Sequence, residues 1–478
     1  MIKIENYIGG KYCAPQGGKY IDNYEPATGE VFAKIPESSD ADVELAVIEA
    51  QKAFPAWSKT PAEDKFRILN KIADLIESKI DILAEAESKD QGKPVWLARN
   101  EMKRASQNFR FFATAAMQFS SESHDMEGLA INYTLRQSLG VVACISPWNL
   151  PLYLFSWKIA PALAAGNCVI AKPSEMTPYT AFLLGDICTE AGLPPGVLNI
   201  LHGTGPSVGA PMVAHPLISA VSFTGGTATG KHIASVAAPM FKKLSLELGG
   251  KNPNIIFADC DFDAAVKTTV NAAFLNQGEI CLCGSRIFIQ REIYTKFKEA
   301  LVAEVALLKV GNPQQKDVKV GAIVSKQHYA KVLEYIQIAK EEGGTILIGG
   351  KSIQPDGLNG WFVEPTLIEG LDQTCRLNNE EVFGPVATLI PFDTEEEVLE
   401  WANATTYGLA TTLWTSDLSR AHRIAAQIKT GIVWINCWLL RDLRTPFGGM
   451  KASGVGREGG WEAMRFFTEP KNVCIKYT

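Results

Sequence analysis

From about residue 140 onward the chain alternates short apolar runs with stretches of helical periodicity, and nothing else in it constrains the fold as strongly. The runs at 140–145, 168–171, 197–201 and 220–223 have the length of strands. Between them, 152–165, 178–191 and 207–213 carry apolar residues at helical spacing. Antiparallel neighbours can be joined by a tight turn, whereas parallel strands need a crossover of helix length. A helix after each strand therefore implies βαβ units and a parallel sheet covered on both faces. A second alternating region begins near Asn252. It predicts strands at 254–257, 285–290 and 345–348, and helices at 263–274, 293–308, 327–341 and 394–404. The change of region falls near Gly249-Gly250. The fold class is α/β, and ligands on such sheets collect at the carboxyl ends of the strands.

Upstream, the first part reads as helical. Asp40 and Asp42 open a helix through Ala53, and Thr60-Pro61-Ala62-Glu63 is a capping-box pattern ahead of a helix over 68–84. Two segments, 132–136 and 473–477, read as exposed strands without a core of their own. The uncharged window 137–157 has the length of a membrane span. Pro147, Asn149 and Pro151 interrupt it, which favours a buried strand followed by a loop. A net charge of −6 argues against a nucleic-acid surface. The ten cysteines are scattered, many in apolar settings such as Cys144 and Cys168. With no apolar leader after Met1, they point to reduced thiols and a cytoplasmic protein. Cys281 and Cys283 form a lone C-x-C pair, and the histidines do not cluster, so no metal site is expected.

Two polar groups stand in glycine-flanked settings where a ligand could come close. Cys281 follows Asn276-Gln277-Gly278 and precedes Gly284-Ser285-Arg286. A thiol attacks carbonyl carbon as the thiolate, and a helix starting just after Gly278 would lower its pKa. Glu247 ends an apolar run and meets Gly249-Gly250, a setting that desolvates a carboxylate toward the range of a general base. Most cysteines are simply buried, and a glutamate at a strand end is often only a surface group. Cys283 is the rival thiol. Asn149 closes the first strand of the parallel region, where its amide could face a developing oxyanion. Lys172 and Glu175 close the next strand and could hold ribose hydroxyls. A carboxylate there repels a 2′-phosphate and favours NAD over NADP. The run Phe223-Thr224-Gly225-Gly226-Thr227-Ala228-Thr229-Gly230-Lys231 approaches phosphate-loop spacing, but His232 stands where a magnesium-binding hydroxyl belongs. It reads as a glycine-rich cofactor turn.

Taken in order, Pro147-Trp148-Asn149, Lys172-Pro173-Ser174-Glu175, Phe223-Thr224-Gly225, Glu247-Leu248-Gly249-Gly250-Lys251, Gly278 to Cys281, Glu381-Val382-Phe383-Gly384-Pro385 and Pro446-Phe447-Gly448-Gly449 resemble the aldehyde dehydrogenase superfamily over nearly the whole chain. The resemblance implies Cys281 as nucleophile, Glu247 as general base, and an oxyanion hole made by Asn149 and the Cys281 backbone amide. It implies NAD held by Ser146, Pro147, Trp148, Lys172, Ser174, Glu175, Gly205, Phe223, Thr224, Gly225, Gly226, Leu248, Gly249, Glu381 and Phe383. It further implies a Rossmann-like NAD-binding domain over 1–119 and 139–248, and a second α/β, catalytic domain over 249–449. A β oligomerisation arm over 120–138 and 450–478 would join subunits into a homodimer or homotetramer. Two residues depart from the pattern: Glu279 stands where glutamine is frequent, and Gly226 where serine is.

For substrate, the stretch from Trp438 to Gly449, with Asn108-Phe109-Arg110-Phe111-Phe112, resembles the muconic semialdehyde branch of that family. A charged residue in a substrate tunnel needs a partner, and a substrate carboxylate supplies one. Arg441 and Arg110 are the candidates, with Asn149 and Phe447 beside the substrate; a surface pairing of Arg441 with Asp442 is the alternative. The expected reaction is NAD-dependent oxidation of a carboxylated semialdehyde in aromatic or tryptophan breakdown. Betaine, aliphatic or retinal aldehydes, or a non-catalytic structural protein on the same fold, are the other readings.

Overall fold

The structure is a computed structural model that describes residues 1–355 and 357–478. Among the described residues, two large sheets dominate, one of eight strands and one of seven. The first has a parallel centre, in spatial order Lys243–Glu247, Ile218–Thr224, Val141–Ile145, Cys168–Lys172 and Leu198–Ile200. Val141–Ile145 and Cys168–Lys172 are buried along their whole length, as strands covered on both faces must be. The chain steps outward from Val141–Ile145 twice, then crosses back to lay Ile218–Thr224 on the other side. That reversal opens a crevice beyond the carboxyl ends of Val141–Ile145 and Ile218–Thr224.

In the second sheet, Thr366–Glu369, Val386–Phe392, Arg286–Gln290, Pro253–Ile256, Ala410–Trp414 and Ile432–Ile435 run parallel, and Thr345–Ile348 adds an antiparallel edge. Four long helices precede the first sheet's centre: α1 (Asp40–Trp57), α2 (Ala62–Ser78), α3 (Ile80–Gln91) and α4 (Val95–Gln118). The next, α5 (Pro151–Ala164), is buried at every residue between sheet and helices. The window 137–157 thus resolves into a buried strand, a turn and the start of α5, and no helix among the described residues is long and apolar enough to cross a membrane.

Several expectations need correction. The helix read over 68–84 is two helices broken at Lys79. Thr60 does not cap α2; its hydroxyl donates to the Ala56 carbonyl at the end of α1, and Pro61 takes the N-cap position. The first 36 residues are β structure rather than helix, with Ile2–Lys3, Glu30–Pro36 and Tyr20–Glu25 forming a small sheet and Asn6–Ile8 and Lys11–Cys13 extending the eight-stranded one. The strands at 132–136 and 473–477 find each other. Ala130–Ser138 is the centre of a three-stranded sheet, paired on one side with Thr468–Lys476 and on the other with Ser123–Asp125. Residues 450–467 stay with the body, against the expected arm bounds. Gly454–Val455 pairs with the open edge of Lys243–Glu247, and the helix Gly460–Phe466 packs on α5.

Candidate active site

The helix Phe262–Phe274 ends in an unusual turn. Asn276, Gln277 and Gly278 are consecutively left-handed, with φ of 53°, 57° and 72°. At Gly278 a Cβ would overlap the Gly384 carbonyl, so only glycine fits. Side-chain amides hold the other two: Asn276 Nδ2 donates to the Asn149 carbonyl at 3.1 Å, and the Gly321 N–H donates to Gln277 Oε1 at 3.2 Å. Cys281 emerges from this turn at the floor of the crevice, beside Asn149, Leu248, Glu381 and Phe383. No helix starts just after Gly278: the helical turns lie before Cys281, and the next element is the strand Arg286–Gln290, so the expected helix start at the thiol is absent. Burial, and then the carboxylates of Glu381 and Glu247, push the Cys281 thiol well above its ordinary value.

Glu247 ends the strand Lys243–Glu247 and is 4% exposed. Both carboxyl oxygens are buried without a hydrogen-bond partner among the described residues. Gly448 makes room for it: a Cβ there would stand 2.6 Å from Glu247 Oε1. Burial raises its pKa well above the carboxylate range, and the nearby Glu458 charge raises it further. Lys158, buried on α5, bonds Glu458 at 2.7 Å and Ser222 Oγ at 3.1 Å. Lys158, Glu458 and Ser222 thus form a buried hydrogen-bonded cluster whose Glu458 charge acts on Glu247.

Asn149 is held on both ends of its residue. Its Nδ2 donates to the Glu279 carbonyl at 2.8 Å, and its own carbonyl accepts from Lys93 Nζ at 2.8 Å. One amide hydrogen remains for a ligand.

The crevice at the strand reversal passes Pro147, Trp148, Thr224, Gly225 and Gly226 and ends at Cys281. Thr224 Oγ1 on its wall, and Ser146 Oγ just before Pro147, are buried without partners among the described residues, hydroxyls available to a polar guest. Lys172 Nζ bonds Glu175 at 3.2 Å, so the two sit together at the next strand end. The Gly250 N–H donates to Glu381 Oε1 at 2.8 Å, and a Cβ at Gly249 would collide with the Glu381 carboxyl. Phe383 sits edge-on to Trp148, ring centres 5.2 Å apart. Gly226 faces open space, so the missing serine leaves a gap rather than a distortion. These orphan hydroxyls, the paired Lys172 and Glu175, and the glycine clearances suit a dinucleotide.

On the opposite side of Cys281, Arg441 Nη1 donates to the Tyr153 hydroxyl at 2.7 Å, and its guanidinium lies 4.0 Å from the Phe447 ring centre. It makes no ion pair among the described residues; Asp442 is taken by Arg444 instead. Arg104, on α4, also reaches over the Tyr153 ring, at 6.0 Å, with no ion pair among the described residues. Arg110 is a correction. Its guanidinium is committed to Glu77, Asp74 and Asn70 of α2, and it does not reach this side of the site.

A family pattern described as the aldehyde dehydrogenase family matches residues 12–473. The chain belongs to the aldehyde dehydrogenase family. The 2-aminomuconic semialdehyde dehydrogenase of Danio rerio is 48% identical, over 100% of this chain and 99% of that relative. The 2-hydroxymuconic semialdehyde dehydrogenase of Pseudomonas sp. strain CF600 is 43% identical over 100% of both. An aldehyde dehydrogenase from Bacillus cereus, solved as its NAD+ complex, superposes with a TM-score of 0.97 at 38% identity, over 100% of this chain and 97% of that one.

For this aldehyde dehydrogenase the sequence left several neighbours of the site unseen. His328 and Lys331 line the crevice. His328 Nε2–H donates to the Phe383 carbonyl at 2.6 Å, and Lys331 Nζ to that of Glu381 at 3.0 Å. No local motif marks them, nor Lys158 and Glu458. Arg104 had a usable signal. Asn108 Nδ2 donates to the Tyr153 carbonyl at 3.1 Å, and the residue one helical turn before it, Arg104, must share that face.

Proposed function

We propose that this aldehyde dehydrogenase uses NAD to oxidise a carboxylated semialdehyde, of the 2-aminomuconic or 2-hydroxymuconic 6-semialdehyde class, to the corresponding acid. The observation that carries the substrate class is Arg441, a guanidinium bonded to Tyr153 with no carboxylate partner among the described residues. Arg104 supplies a second cation across Tyr153, which suits a dianionic or extended carboxylated chain. The muconic semialdehyde relatives support the same class.

In this reading Cys281, its proton lost to water, attacks the aldehyde carbon as the thiolate. The new oxyanion takes the free Asn149 hydrogen and the Cys281 backbone N–H. The carbonyl then re-forms as a hydride departs, leaving a thioester on Cys281. NAD, when bound along Trp148, Thr224, Gly225, Lys172, Glu175 and Glu381, supplies the acceptor for that hydride and a positive ring that offsets the thiolate charge. Glu247 takes a proton from water, the hydroxyl adds to the thioester, and the carbon–sulfur bond breaks to give the acid. Residues 1–119 and 139–248 form the nucleotide-binding unit and 249–449 the catalytic unit. The sheet of Ala130–Ser138 joins copies into a dimer or tetramer of a cytoplasmic enzyme.

Comparing a carboxylated semialdehyde with an uncharged aldehyde of similar length tests this. Arg441→Ala should lower kcat/KM on the carboxylated substrate about 10- to 100-fold, the loss of a charge-assisted hydrogen bond worth about 1.5–3 kcal/mol. Activity on the uncharged aldehyde should hold. Equal loss on both makes Arg441 structural and removes the substrate class.

A further inference from the structure

An oxyanion hole built on a side-chain amide works only if that amide is aimed, and the aim of Asn149 is set by the peptide of Glu279. Asn149 Nδ2 spends one hydrogen on the Glu279 carbonyl at 2.8 Å. The direction of that carbonyl decides where the second hydrogen points. The Glu279 peptide follows three left-handed residues; its N–H donates to the Asn276 carbonyl at 2.8 Å and its carbonyl also accepts from Asn276 Nδ2 at 3.3 Å. The Glu279 side chain ties this local turn to the rest of the fold. Glu279 is wholly buried. One carboxyl oxygen accepts from Gln91 Nε2 at 2.6 Å, at the last residue of α3, and the other from the Val324 N–H at 3.2 Å, in the second sheet's half of the chain. The carboxyl is therefore pinned by two segments distant in sequence.

Among the described residues Glu279 has no Lys or Arg ion-pair partner. His328 Nε2 lies 4.0 Å away, has its pKa lowered to about 4 by burial, and gives its hydrogen to the Phe383 carbonyl. Lys93 is matched by Glu101 at 2.5 Å. Burial pushes the Glu279 pKa well above its ordinary value. A glutamine matches it in size, accepts from the Val324 N–H through its oxygen, and donates to Gln91 once the Gln91 amide turns over.

We propose that Glu279 is a positioning residue for the reaction: pinned through its side chain, it holds its carbonyl so that the free hydrogen of Asn149 meets the developing oxyanion. The inference rests on the reading of Asn149 as an oxyanion donor. Its test is a double-mutant cycle read by acylation of Cys281, as the burst of 4-nitrophenolate released from 4-nitrophenyl acetate without dinucleotide, and in parallel as the NADH burst with aldehyde. Losing one such donor costs roughly 100- to 1,000-fold, so Asn149→Ala should show a deficit of that order. Glu279→Ala should cost about 10- to 100-fold in the wild-type background and little in the Asn149→Ala background, because the aim of a missing amide no longer matters. Glu279→Gln should restore the burst. Should Glu279→Ala not fold, Gln91→Ala removes only the outer pin and should show the same non-additivity. Equal losses in both backgrounds, or no rescue by glutamine, overturn the inference. An Asn149→Ala enzyme with an undiminished burst overturns the reading of the site and the inference with it.

Discussion

Burial raises the pKa of both Cys281 and Glu247; the Glu381 and Glu247 carboxylates raise the thiol further, and the Glu458 charge raises Glu247 further. The sign for pH follows. An acid whose pKa is raised is inactive as a thiolate or base at low pH and becomes competent only as pH rises through its elevated value. Pre-steady-state NADH formation should therefore accelerate as pH is raised through neutrality and above; a flat or falling rate would mean that neither proton has to leave before attack. On the proposed roles, replacing Glu247 with Gln removes the base for water while leaving the thiol in place. A burst of NADH without steady turnover should result in a stopped-flow trace. At this scale the sequence was legible wherever a chemical group sits inside its own local motif, as Cys281, Glu247 and Asn149 do. It misled at Arg110. A helix turns about 100° per residue, so Arg104 and Arg110 face different ways, and only Arg104 shares the face of Asn108 that meets Tyr153.

At the scale of elements, the turn before Cys281 is the part most easily broken. Gly278 combines a φ of 72° with a backbone carbonyl where a Cβ would go. Gly278→Ala should destabilise the protein by on the order of 2 kcal/mol or more, since αL strain alone costs about 1–3 kcal/mol. It should also depress alkylation of Cys281 by iodoacetamide, because the thiol shifts with the turn. A variant of unchanged melting temperature and unchanged alkylation rate would show that the turn tolerates a side chain. The strands and crossover helices of the first sheet were readable because apolar run length and helical spacing are local properties. The break at Lys79 was not, because apolar periodicity continues across it while the backbone changes direction. Thr60 looked like a cap for α2 but is used by the carbonyl of Ala56 at the end of α1, a choice made by the neighbouring helix.

Over the whole molecule, the crevice exists because two sheet units meet, and groups as far apart in sequence as Lys158 and Glu458 or Arg104 and Arg441 come together only there. No reading of local pattern could have paired them. The segments near 132–136 and 473–477 were visible as strands, but their partnership with each other was not. The sheet they form leaves Thr468–Lys476 as one edge, and such an edge invites a further strand. Ending the chain after Phe467 should strip that strand from Ala130–Ser138 and lower the mass seen by light scattering to that of a smaller assembly; an unchanged mass would place the subunit contacts elsewhere. The most direct test of the chemistry is to mix the Glu247→Gln enzyme with NAD and a muconic-type semialdehyde, quench in acid and weigh the peptides. The prediction is an acyl group on the peptide of Cys281, accumulating with NADH in equal amount and bonded to Cys281 rather than Cys283. NADH formed with Cys281 unmodified, or an adduct confined to Cys283, would contradict it.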